Sequence, residues 1–390
     1  MDHSFTEDQL AIREAVAKVC APYDDAYWLK KDQEGGFPHD FHRAIADAGW
    51  IGIMMPPDLG GAGLGITEGC LMMQAIAESG GGLSACTAIH INVFGPHPVV
   101  KHGTPEQRQR MLTPIIKGDV KPCFGITEPN AGLDTTRIQT RAEYDPKRKA
   151  YIVHGQKIWT STAQVATKVL LLTRTTPIEK TKRPIDGLTL FFTDFDRRYV
   201  EVREIEKMGR HALDSNQVFY DGLPIPEEDR IGEEGKGFKY LLDGLIPDRL
   251  LVAAESVSMG RMALKRATEY AKERIVFDRP IGKNQAIQHP LAESWCKLEA
   301  ADLLTYRACS YYDKGKECGP EANAARFYAA EAGFEACKRA IFSMGGMGYA
   351  KEFHVERYFR EMQIYRIAPI TGPMVLSYIA ERVLGLPKSY

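Results

Sequence analysis

Two short segments carry the residue types that could hold a ligand. The first is Phe124-Gly125-Ile126-Thr127-Glu128-Pro129-Asn130-Ala131-Gly132-Leu133-Asp134, with Gly, Pro and Asn at turn-forming positions and Thr and Glu between them. Such a loop exposes backbone N–H groups and one hydroxyl to a flat polar ligand. The second, His154-Gly155-Gln156-Lys157-Ile158-Trp159-Thr160-Ser161, ends an alternating run (Tyr151, Val153) with a Trp followed by hydroxyl residues. An indole can stack on a ring system while nearby hydroxyls and amides reach its polar edge. Together they describe a site for something planar and rich in acceptors. Taken by themselves, such residues are more often a structural turn and a core tryptophan.

Composition narrows the classes. The chain has 390 residues, 44% of them hydrophobic, and 50 Lys plus Arg nearly cancel 51 Asp plus Glu. That length predicts two or three layers or domains rather than one small core. A formal charge of −1 gives no reason to expect nucleic acid or an anionic membrane as partner. Cysteines 20, 70, 86, 123, 296, 309, 318 and 337 are scattered without a C-x-x-C pair. They read as free thiols in a reducing compartment, with no disulfide framework and no metal site. Residues 1–9 are acidic and polar, unlike a targeting peptide, and no apolar run is long enough to span a membrane. The expectation is a soluble, cytoplasmic globular protein.

The elements that must position the two segments follow from periodicity. Residues 1–121 read as helical: Thr6 as an N-cap ahead of Leu10, Ile12, Val16 and Val19, then 41–55, 67–79 and 104–116. The run Gly60-Gly61-Ala62-Gly63-Leu64-Gly65 does not follow a predicted strand, so it reads as a flexible turn rather than a phosphate loop. His90, Asn92 and His97 fall between helices and are assigned no role. Residues 122–235 alternate, with strands near 141–144, 150–154, 169–173, 188–192, 200–203 and 217–220, broken at 223–226. They suggest a small antiparallel β-barrel or sandwich. Residues 236–390 are helical again: one helix from Pro247 through Phe277, then 286–314, 320–344 and 373–384, a four-helix bundle.

The paired segments resemble the flavin-binding segments of the acyl-CoA dehydrogenases, with their Thr-Glu-Pro loop and Trp-x-Thr run; Ser161 stands where Thr is commoner. Helical, then β, then a four-helix bundle is also the order of that family, so the resemblance covers essentially the whole chain. It implies an α+β fold, bound FAD, and conversion of an acyl-CoA thioester to the trans-2-enoyl thioester. A carboxylate takes the proton and flavin N5 takes the hydride. Phe124, Ile126, Thr127, Trp159, Ser161 and Thr371 would then lie on or beside the flavin. Arg274, Phe277 and Gln285 would meet the pyrophosphate and adenosine, the first two from one helix face. Gly345 and Gly346, in the Gly345-Gly346-Met347-Gly348-Tyr349 loop, would be lent by a neighbouring subunit of a dimer or dimer of dimers. Phe342 replaces a Gln of that contact.

The family's commoner base, a Glu, falls at Pro369, which cannot take a proton. A minority of the family takes its base from the helix opening the last domain, on the residue before an Arg. Here that pair is Asp248-Arg249, so Asp248 is the expected base and Arg249 the charge that positions carboxylate or thioester. Leu133 replaces a Ser that touches the ligand, and pocket walls are expected from 89–94 and 253–257. The implied electron acceptor is an electron-transferring flavoprotein. The alternatives are a flavin-dependent monooxygenase or oxidase on the same fold, and a catalytically silent scaffold.

Overall fold

The computed structural model describes residues 5–389. Residues 1–4, part of the stretch read as free of a targeting peptide, and Tyr390 lie outside them. Helices α1 (Glu7–Cys20), α2 (Asp25–Glu34), α3 (His39–Asp47), α4 (Ile66–Ile76), α5 (Gly82–Phe94), α6 (His97–His102) and α7 (Pro105–Ile116) surround one apolar core. Thr6 caps α1: its hydroxyl accepts from the Gln9 N–H, and the Gln9 side chain accepts from the Thr6 N–H. The Gly60–Gly65 stretch packs on the preceding chain. Ala62, Gly63 and Leu64 donate to the carbonyls of Gly52, Met55 and Ile53, so it is a structural turn.

Helix α5 is the main departure from the sequence reading, which leaves His90 and Asn92 between helices. Gly80 (φ 110°) and Gly82 (φ 58°) let the chain leave α4 through a wide turn and begin a new helix at once. Gly81 has no room for a side chain: a Cβ there would lie 2.3 Å from Ala85 Cβ and 2.6 Å from the Trp28 ring. From Gly82 to Val93 every residue of α5 is buried. Its first turn is capped from far along the chain by Glu361, which accepts from Leu83 N (2.9 Å), Ser84 N (3.2 Å) and Ser84 Oγ (2.6 Å). Arg357 pairs with Glu361 and donates to the Gly80 and Gly81 carbonyls, which fixes the helix end.

Strands β1 (Pro122–Gly125), β2 (Arg141–Asp145), β3 (Ala150–Ser161), β4 (Lys168–Arg174), β5 (Leu188–Asp194), β6 (Val200–Glu204), β7 (Ser215–Pro226) and β8 (Arg230–Ile231) form one sheet in the order β6-β7-β3-β2-β4-β5-β8, with β1 parallel to β4. This corrects the expected barrel, because the sheet is open. Its two edge strands, β6 and β8, do not pair with each other among the described residues. With β8 only two residues long and β2 meeting β4 at the single pair Arg141–Arg174, too little edge remains for closure. The prolines at 224 and 226 end β7 rather than interrupt it, opposite Ile152 and Ala150.

The last region holds α8 (Gly237–Asp243), α9 (Leu245–Glu273), α10 (Gln285–Asp313), α11 (Gly319–Met344), α12 (Gly346–Tyr349), α13 (Val355–Met362), α14 (Ile364–Ile367) and α15 (Gly372–Arg382). Helices α9, α10 and α11 run up, down and up. The fourth wall of their core is α13, through Val355, Tyr358 and Met362, rather than the terminal helix the sequence suggests. Helix α15 buries only Gly372 and Val375. The charged letters of α13 hide its role, because Arg357 and Glu361 are buried as a pair. Among the described residues no helix is long and apolar enough to cross a membrane, and all eight cysteines are free.

Candidate active site

The two ligand-type segments are one structure. Lys157, fully buried, donates from Nζ to the Ile126 carbonyl (3.0 Å) and to Glu128 Oε1 (2.9 Å). Glu128 also accepts from Gln139 N (2.6 Å) and Thr140 N (2.9 Å), and Ile158 N donates to the Thr127 carbonyl (2.9 Å). Burial pulls the Lys157 ammonium down to about 8, against the opposing pull of Glu128. Next to this anchor the β3–β7 register slips between Lys157 and Thr160, and Trp159 takes φ +60°. Such a bulge re-aims a side chain, and the indole is 57% exposed. The Thr127 and Ser161 hydroxyls are bonded to nothing among the described residues. An exposed indole beside free hydroxyls on a pinned loop fits a planar ring with a polar edge. Trp159→Ala should therefore weaken FAD about fivefold, one aromatic stacking contact being worth about 1 kcal/mol. Flavin fluorescence on titrating the stripped protein would show it, and unchanged affinity would remove the indole from the site.

Asp248 occupies the first turn of α9 and is 5% exposed. Its Oδ1 lies 3.1 Å from His90 Nε2, while its Oδ2 is buried without a partner. On the other side of the ring, His90 Nδ1 lies 2.6 Å from Glu255 Oε1, and Glu255 Oε2 accepts from the Tyr365 hydroxyl. The Phe94 ring covers His90 edge-on at 4.7 Å and itself meets Phe124 of β1 at 5.1 Å. Asp248 is thus linked by three side chains to the strand that leads into the Thr127 loop. Arg249 follows Asp248, and Arg326 of α11 donates to the Ala368 carbonyl (2.8 Å), next to Pro369. Burial lowers the pKa of both guanidiniums and Asp248 draws them back up; Arg249 Nε and Arg326 Nε and Nη1 are buried without partners.

Burial alone would push the His90 imidazole down, yet Glu255 and Asp248 raise it to about 10. The facing groups are those two carboxylates from α9, Tyr365 of α14 behind Glu255, and the uncharged Phe94 ring. A histidine raised in this way gives stability that is complete below its ordinary value near 6.5 and is lost as pH climbs through about 10. His90→Gln should therefore flatten the fall of unfolding free energy with pH by up to about 1.4 kcal/mol per unit between about pH 7 and 9. Denaturant titrations of both proteins across that window measure the difference, from which groups remote from His90 cancel.

The remaining expected residues lie elsewhere. Helix α9 stops at Glu273, and Arg274 is its extended C-cap. Phe277 sits at φ +50° in the turn of a hairpin pairing Ile275–Val276 with Arg279–Pro280. Arg274 and Phe277 therefore do not share a helix face, because the hairpin ends the helix between them. Phe277 is 93% exposed, and Gln285 opens α10. Gly345 caps α11 and Gly346 begins α12 at the same end of the bundle. Residues 248 and 274 are 26 apart along α9, roughly 39 Å of rise, so one chain does not unite these residues with Asp248. Thr371 precedes α15 without a side-chain cap bond, and Leu133 is exposed on its loop. Sequence reasoning missed His90, Glu255, Tyr365, Glu128 and Lys157. One signal was available: Glu255, seven residues after Asp248, is an acid on the small apolar face of α9.

The chain matches the models of the acyl-CoA dehydrogenase N-terminal domain over residues 6–119, middle domain over 123–223 and C-terminal domain over 235–384. The chain belongs to the acyl-CoA dehydrogenase family. It is an oxidoreductase of that family, whose cofactor is FAD. An acyl-CoA dehydrogenase of Mycobacterium bovis is 35% identical over 398 residues, covering 100% of both chains. A caffeyl-CoA reductase–Etf complex subunit of Acetobacterium woodii is 33% identical over 337 residues, covering 86% of this chain and 87% of its own. The butyryl-CoA dehydrogenase structure from Megasphaera elsdenii superposes with a TM-score of 0.93 at 26% identity, covering 98% of this chain and 100% of the other.

Proposed function

We propose that this acyl-CoA dehydrogenase oxidises an acyl-CoA thioester to its trans-2-enoyl thioester, with Asp248 as the base. The observation that carries the reading is Asp248 Oδ2: a buried carboxylate oxygen without a partner, tied through His90, Phe94 and Phe124 to the Thr127–Trp159 platform. Bound FAD supplies the two-electron acceptor for the hydride. Phe124, Ile126, Thr127, Trp159, Ser161 and Thr371 would hold its ring. Asp248 removes the proton next to the thioester carbonyl, and Arg249 and Arg326 offset the negative charge that gathers there. Arg274, Phe277, Gln285, Gly345 and Gly346 sit too far along the bundle to serve the same chain's Asp248. A second copy is proposed to supply them to the pyrophosphate and adenosine.

The reductase relative favours a second reading, saturation of an enoyl thioester by the same residues in reverse. The Etf complex in its name supports an electron-transferring flavoprotein as redox partner. Anaerobic mixing of the FAD-loaded protein with a panel of saturated acyl-CoAs should bleach the oxidised flavin band with at least one of them. Bleaching by none, together with oxygen-dependent turnover of another substrate, would replace the reading with an oxidase or monooxygenase.

A further inference from the structure

Asp248 and Glu255 stand seven residues apart on α9, two helical turns, so both carboxylates leave the same face. The His90 ring of α5 bridges them, with Nε2 3.1 Å from Asp248 Oδ1 and Nδ1 2.6 Å from Glu255 Oε1. The Tyr365 hydroxyl of α14 donates to the other oxygen of Glu255. All four side chains are buried. Unpaired polar atoms in such surroundings are costly, and along this series every one has a partner except Asp248 Oδ2. A set that served stability alone would gain by satisfying that oxygen. The deficit instead falls on the atom that the proposed chemistry needs.

We propose that His90 and Glu255 are positioning residues for the base: Glu255 fixes the imidazole, His90 holds Asp248 Oδ1, and Oδ2 is thereby turned toward the acidic C–H of the thioester. The inference rests on Asp248 being the base. In the step, the C–H bond breaks, an O–H bond forms at Oδ2, and the electron pair stays with the substrate as the neighbouring hydride goes to the flavin acceptor. His90 keeps its proton throughout.

The test uses the full-length, FAD-loaded protein and separates the limiting rate of flavin bleaching from the acyl-CoA concentration that gives half that rate. His90→Gln should lower the limiting rate on the order of 100-fold, within the range a positioned proton-transfer group supplies, with FAD content and half-saturation unchanged. Glu255→Gln should lower it about tenfold. The double variant should be no slower than His90→Gln, because Glu255 acts through the ring. A purely structural trio predicts losses that track unfolding free energy and add in the double variant. A wild-type limiting rate in His90→Gln, with Asp248→Asn inactive, would overturn the positioning role and leave the base in place. Bleaching by Asp248→Asn would instead remove the base. Should His90→Gln fail to accumulate folded, Glu255→Gln decides alone, and an unchanged limiting rate there overturns the proposal.

Discussion

Asp248→Asn should retain FAD as the unaltered chain does and fail to bleach it with any acyl-CoA. The substitution changes almost no volume. Asparagine's oxygen can still accept from His90 Nε2, so α5 and α9 stay in register. What is lost is the free oxygen Oδ2, whose place is taken by an amide nitrogen with no vacancy for a proton. The nearest alternative acid, Glu255, is already engaged on both oxygens by His90 and Tyr365. Pro369 offers none. The limiting rate of flavin reduction should therefore drop on the order of 10⁴-fold, the upper end of what a general base contributes. Stopped-flow absorbance measures it. A drop of less than about tenfold would show that the proton leaves by another route, since even a modest base contributes 10²-fold.

Lys157→Met should give a destabilised protein that loses its FAD. Nothing at this position needs to touch the cofactor for that to happen. The ammonium is the partner that lets Glu128 stay charged inside the protein, and it also ties down the Ile126 carbonyl. Removing one member of a buried ion pair costs about 3–5 kcal/mol, far more than the pair itself is worth. With Glu128 uncompensated, the turn through Thr127 is released and the platform beside Trp159 comes apart. The double variant Lys157→Met with Glu128→Gln should recover much of the stability, because Gln can still accept from the Gln139 or Thr140 N–H. Denaturant unfolding and flavin content read the two effects. If the double variant were as unstable as the single, the cost would lie in lost packing rather than in a stranded charge.

Much of the architecture was legible because it is written locally. The helical period of residues 7–20 and the alternation through β3, β4 and β5 survive in any short window. What was not legible depended on partners far away. Helix α5 went unread, with His90 and Asn92 left between helices, since nothing nearby reveals that Glu361 caps it from 277 residues on. The segment 355–362 had no place among the helices read from the sequence, and its Arg357–Glu361 pairing is what lets so charged a stretch be buried. The closed barrel failed on strand length, which a two-residue β8 does not announce. At the candidate site the loop and the Trp run could be picked out because each is contiguous. His90 could not, because its meaning comes from two carboxylates 158 and 165 residues away.

The crowded glycine at the head of α5 has a bearing on how such a chain can diverge. A methyl group on Gly81 would have to push the helix lengthwise, since Ala85 and Trp28 leave it nowhere else to go. Eight residues beyond the helix start at Gly82, about 12 Å of rise, that slip would arrive at His90. Lineages drifting there would show sluggish turnover with an intact ligand pocket, and a survey confined to pocket-lining positions would overlook the cause.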